Sequence, residues 1–135
     1  MKRNATARWD GSGKEGKGTL STQSNTLSNA QYSFNSRFAE GTGTNPEELA
    51  AAAHAGCFSM KLAFVLGEAG VAPESIETKC TITLEDGAIT SSHLDVNVKA
   101  AIDQAKLDTC VTDAKANCPI SKLFNTQISA TATLA

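Results

Sequence analysis

The chain has 135 residues and a mass of 14.0 kDa, enough for one compact domain that buries less of its surface than a larger protein would, so dimerisation would help it. A net charge of −2 and a pI near 5.6 give no reason to expect nucleic acid or an anionic membrane as the main partner. The basic start Lys2-Arg3 runs into Asn4-Ala5-Thr6 with no apolar signal core, which predicts a cytoplasmic protein whose four cysteines are reduced by default.

No internal repeat and no linker divides the sequence, so residues 1–135 are expected to form a single domain. The first forty residues are polar and glycine-rich, with strand-like pieces at Ala5 to Trp9, Gly18 to Ser21 and Gln31 to Phe38 that suggest an antiparallel meander. Within them Gly11-Ser12-Gly13-Lys14-Glu15-Gly16 matches a dinucleotide fingerprint by letter. The residues after it look like strand, however, and the fingerprint needs a helix opened by its last glycine, so the segment reads as a loop. Asn45-Pro46-Glu47-Glu48 then places a capping side chain, a proline at the first helical position and two acids in the first turn. The helix that begins there should run to about Gly67. Alanine and glycine cover so much of its circumference that other elements can approach on several sides, which suggests a central, buried helix. His54, Ser59 and Lys61 inside it argue against a membrane span.

Beyond Ala72-Pro73 the period becomes two. Ile76, Thr78, Cys80, Ile82 and Leu84 alternate with polar residues, Asp86-Gly87 signals a turn, and Leu94, Val96, Val98 and Ala100 alternate again, so a β-hairpin is expected. Leu107, Cys110, Val111 and Ala114 recur at helical spacing within Asp103 to Asn117, and Ile128, Ala130, Ala132 and Leu134 close the chain as a strand. The fold class is α+β, an antiparallel sheet with one long and one shorter helix.

The residues able to do chemistry are few. Cys80 and Cys110 fall on apolar faces, where free cysteine acts as a small hydrophobe. His93 shares a polar strand face with Asp95 and Lys99, and His54, three residues before Cys57, reads as a hydrogen-bonded core histidine. No Cys-x-x-Cys or His-x-x-x-His spacing supports a metal site, so a zinc-binding or other non-catalytic small-molecule module is the alternative reading and thiol redox work the main one. Peroxide reduction needs a thiolate, a cation to stabilise it and a second thiol to trap the sulfenic acid. Cys57 lies inside the long helix, whereas Cys118 precedes Pro119 at a helix start, where the dipole lowers a thiol pKa; local geometry therefore favours Cys118 as attacker. Cys57 can attack only if a tertiary cation reaches it, and Arg37 is the candidate.

Four segments carry a resemblance across essentially the whole chain. Asn35-Ser36-Arg37-Phe38, Gly43-Thr44-Asn45-Pro46-Glu47-Glu48-Leu49, Ala52-Ala53-His54-Ala55-Gly56-Cys57-Phe58-Ser59-Met60 and Cys118-Pro119-Ile120-Ser121 resemble the motifs of the osmotically inducible protein C (OsmC) and organic hydroperoxide resistance family, and Trp9-Asp10-Gly11 resembles the OsmC branch. The resemblance implies an OsmC-like fold, an intertwined homodimer with active sites at the subunit interface, and thiol-dependent reduction of organic hydroperoxides. It implies that Cys57 is the peroxidatic cysteine, Cys118 the resolving one, Arg37 the activating cation and Glu48 its carboxylate partner, which overrules the local preference for Cys118. It implies no bound cofactor or metal, and an external dithiol, such as a lipoyl (dihydrolipoamide) group, as reductant. Phe38, Phe58, Leu123 and Phe124 are expected around the alkyl group. Glu48 and Cys57 are nine positions apart, so on one helix they are about 180° apart in azimuth and about 13 Å apart along the axis. Such a site is expected to draw on two chains.

Overall fold

The polar, glycine-rich first segment forms the expected antiparallel meander. In a computed structural model that describes all 135 residues, Met1 to Ala135, β1 (Ala5–Asp10), β2 (Lys17–Thr22) and β3 (Ala30–Tyr32) form an antiparallel sheet in that order. The glycine motif is the turn between β1 and β2, and it opens a strand. The expected strand Gln31–Phe38 needs correction, because β3 stops at Tyr32. Ser33 Oγ accepts from the Ser36 N–H at 3.2 Å while Ser36 Oγ accepts from the Ser33 N–H at 2.8 Å, and this reciprocal capping box starts the five-residue helix α1 (Phe34–Phe38). Local side-chain bonds thus outweigh the strand preference of the flanking aromatic residues.

The cap chemistry at Asn45 works as the sequence implies. Its Oδ1 accepts from the Glu48 N–H at 2.8 Å and its Nδ2 donates to the Ser36 carbonyl at 3.0 Å, and α2 (Pro46–Glu68) follows. Gly43 upstream has φ +111, and a Cβ there would collide with the Gln31 carbonyl oxygen, which accepts from the Thr44 N–H at 2.8 Å. These elements belong to the first of two compact units, Met1–Leu49; the second is Ala50–Ala135, and the boundary falls inside α2 with no linker.

In the second unit α2 buries His54, Phe58, Leu62, Val65 and Leu66, a stripe of helical period. These apolar side chains share one core with Leu94, Val96 and Val98 of β5 (Ala88–Lys99) and with Leu107, Cys110, Val111 and Ala114 of α3 (Gln104–Asn117). The opposite side of α2 leaves Met60 66% and Phe64 64% exposed, so in the single chain the long helix buries one face only, because the unit covers it from one side. The strand β4 (Ser75–Glu85) pairs antiparallel with β5 through a two-residue turn in which Asp86 (φ 49) and Gly87 (φ 78) are both left-handed. The last strand, β6 (Gln127–Leu134), runs parallel to β5 and completes the order β4-β5-β6. Between β5 and β6 lie α3, capped by Asp103 on the Lys106 N–H at 2.8 Å, and the short α4 (Pro119–Leu123), which together supply the crossover a parallel pair needs. The α+β class holds.

Candidate active site

Cys57 opens onto an apolar cavity of about 440 Å³ whose walls include Met60, Lys61, Phe64, Asn117 and Pro119. The i+3, i+4 and i+7 spacing from Cys57 puts the first three of these on its side of α2. None of Phe38, Phe58, Leu123 and Phe124, the expected lining, forms this wall. Phe58 is fully buried in the core, Phe124 packs edge-on against the His54 ring at a centroid distance of 5.0 Å, Leu123 points outward, and Phe38 lines a separate cavity of the first unit with Trp9, Tyr32 and Arg37. The lining was legible only as helical spacing from Cys57.

Cys118 is the N-cap residue of α4, yet its side chain makes no capping hydrogen bond and is fully buried. A dissolved oxidant therefore meets Cys57 first, against the local preference for Cys118 as attacker. All four cysteines are free thiols. Burial pushes the Cys57 thiol up from its ordinary value, and the neighbouring Cys118 thiol adds to that; the Ile120 backbone N–H pulls the other way. No cation is among the groups acting on Cys57, so within one chain the thiolate is disfavoured.

Arg37, at the end of α1, makes an ion pair with Glu47 in which Nε and Nη2 both reach Oε1 at 2.8 Å, and its guanidinium stacks over Phe38 at 4.9 Å. The expected partner Glu48 instead accepts from Thr44 Oγ1 at 2.6 Å. Neighbouring helix positions point about 100° apart, so only one of the two acids can face α1. Glu47 Oε2 is buried and has no donor.

His54 is the hydrogen-bonded core histidine the sequence suggests. Its Nδ1 lies 2.6 Å from Ser92 Oγ and its Nε2 2.8 Å from Ser121 Oγ, with no solvent exposure. Neither serine stands out in the sequence, although Ser92 is in phase with the buried Leu94, Val96 and Val98 and so sits on the apolar face of β5. Cys80 packs against the core and its sulfur touches Ser92 Oγ at 3.2 Å, Cys110 is buried, and His93 lies on the outer face between Ser129 and Asp95. Burial lowers the His54 pKa from 6.5, so the folded ring binds a proton less readily than the unfolded chain does. Stability is then fully present above 6.5 and is lost as pH falls from there toward the folded value. The urea midpoint of the wild type should accordingly drop more on acidification below 6.5 than that of His54→Asn, and equal slopes would contradict a neutral buried ring.

A family model described as OsmC-like protein matches residues 39–133, which takes in Cys57, Cys118 and Glu48. The chain belongs to the OsmC family. Peroxiredoxin OsmC of Escherichia coli (strain K12) is 45% identical over 128 residues, covering 91% of this chain and 90% of that protein. Among solved structures, the organic hydroperoxide resistance protein OhrB of Bacillus subtilis is 28% identical with a TM-score of 0.73, covering 100% of this chain and 98% of that one. An OsmC-like protein from Mycoplasma pneumoniae superposes with a TM-score of 0.79 over 100% of this chain and 98% of that one at 10% identity, a likeness of fold alone. The OsmC-like fold expected from the sequence motifs is therefore the fold of this chain.

Proposed function

We propose that this cysteine-based peroxidase of the OsmC family reduces organic hydroperoxides, and hydrogen peroxide more weakly, with Cys57 as the attacking and Cys118 as the resolving thiol. The observation that carries the reading is the position of Cys57 in the wall of an apolar cavity that Pro119, the residue after Cys118, also lines, with Cys118 among the groups acting on its thiol. The Cys57 thiolate attacks one oxygen of the O–O bond, the bond breaks, and the other oxygen leaves with the alkyl group and takes up a proton as an alcohol. The sulfenic acid then condenses with the Cys118 thiol, forming an intrachain disulfide and releasing water. An external dithiol, for which a lipoyl group is suited, returns both thiols by exchange, and no bound cofactor or metal takes part.

A raised Cys57 pKa calls for a cation, and Arg37 is the side chain we assign to it. Its pair with Glu47 orients the guanidinium, and Glu48, bonded to Thr44, supports the same turn of α2. We assign the pair to one subunit and the thiol to the other in a cytoplasmic homodimer. One observation favours this: Met60 and Phe64 are exposed on the Cys57 side of α2.

The test is selectivity. Burying the alkyl or aryl group of an organic hydroperoxide in the cavity should raise kcat/KM over hydrogen peroxide by about ten- to hundredfold. Cumene hydroperoxide and hydrogen peroxide are compared with the same dithiol at saturating concentration. Equal values would sink the apolar substrate site.

A further inference from the structure

We propose that His54 is a positioning residue for disulfide closure: through Ser121 it ties α4, and with it the Cys118 thiol, to α2 beside Cys57. This rests on the reading of Cys57 and Cys118 as a redox pair, and it concerns three side chains to which that reading gives no role.

The helix α4 has five residues, too few to hold its own conformation in water, so its place depends on what it is attached to. Its one buried residue is Ser121, while Leu123 at its end is 72% exposed. The bond from Ser121 Oγ to His54 Nε2 at 2.8 Å is thus the polar attachment of α4. Ser121 comes three residues after Cys118 and His54 three residues before Cys57, so the bond lies one helical turn from each thiol.

The imidazole is itself fixed. Its other nitrogen meets Ser92 of β5 at 2.6 Å, and Phe124 stands edge-on to the ring. Each serine hydroxyl can donate or accept, so a neutral ring is satisfied on both sides in either tautomer. A polar string of this kind, without a solvent-exposed member, sets one orientation where apolar packing would tolerate several. Two groups that act on Cys57 depend on that orientation: the Cys118 thiol at the N-cap of α4 and the Ile120 N–H within it. Disulfide formation accepts only a narrow range of Cα and Cβ positions, so a small displacement of α4 is felt at the closing step.

The attack on peroxide and the closure of the bridge should therefore respond differently to loss of the bond. In Ser121→Ala the first oxidation of Cys57 by one equivalent of cumene hydroperoxide keeps its rate, bridge closure slows by about tenfold, and mass spectrometry finds sulfinic acid on Cys57 with excess oxidant. His54→Asn keeps a nitrogen near Ser92 and loses the reach to Ser121, so it gives the same slowing if Ser121→Ala does not fold; Ser121→Thr keeps the hydroxyl and restores closure to within about twofold. Ser92→Ala strands the other imidazole nitrogen and lowers Tm comparably, and it should change closure by no more than about threefold. An equal slowing in Ser92→Ala would make the effect one of general stability and overturn the proposal.

Equilibration in a glutathione buffer reads the same geometry without peroxide. The effective concentration of the Cys57 and Cys118 thiols should be about tenfold lower in Ser121→Ala than in the wild type, and equal values would overturn the tie through His54. A wild-type bridge that forms in glutathione but not with hydroperoxide would overturn the peroxidase reading and leave this ratio to decide on His54. A wild type that forms no bridge in either would overturn both.

Discussion

Cys57→Ser protein should consume no measurable hydroperoxide, a loss of at least about a thousandfold, while Cys118→Ser protein should consume one equivalent and then stop. The difference follows from where the thiols sit. Cys57 lines the open cavity, whereas Cys118 is fully buried, Cys110 is buried in the core and Cys80 is packed against His54 and Ser92. Without Cys57 the cavity wall carries no thiol, and the remaining sulfurs are buried or packed against the core. Without Cys118 the first step proceeds but the sulfenic acid has no partner, and it persists until it over-oxidises or reacts with an added thiol. Wild-type protein treated with stoichiometric hydroperoxide should give a Cys57 to Cys118 peptide, with Cys80 and Cys110 still open to alkylation after unfolding. A bridge that contains Cys80 or Cys110 would refute the assignment.

Co-refolding two inactive proteins, Cys57→Ser and Arg37→Ala, should restore about a quarter of the wild-type activity in a one-to-one mixture. Half of the randomly formed dimers are mixed, and in each of these one of two sites joins an intact Arg37 from one chain to an intact Cys57 from the other. Burial and Cys118 hold the Cys57 pKa up within one chain, and no cation counters them. Arg37 is engaged by Glu47 in the first turn of α2, and Glu47 precedes Cys57 by ten positions, about 15 Å along the helix axis. On our proposal a second chain supplies the charge. Mixed dimers, verified by mass, that remain inactive would exclude a shared site, as would full activity in a demonstrated monomer.

What the sequence determined by itself is what rests on neighbouring residues. Asn45-Pro46 opens α2 because one side chain caps it and one ring presets its first φ; Asp86-Gly87 closes the β4–β5 hairpin because both residues tolerate a left-handed backbone. The apolar alternation of β5 and the stripe of α3 locate the core, since period alone decides which face is buried. Ser33 and Ser36 are equally local: the capping box that ends the strand at Tyr32 and starts α1 is written in four residues. The tertiary structure alone decided matters that depend on residues far apart or on direction in space. The parallel course of β6 is one, because alternation assigns faces and is silent on strand direction. Another is Glu47 in place of Glu48 as the partner of Arg37, a choice made by helix azimuth against a separate element. The clearest is His54, whose partners lie 38 and 67 residues away in the chain. A buried imidazole needs hydrogen-bond partners at its nitrogens, and that Ser92 and Ser121 provide them is settled only when β5, α2 and α4 have packed.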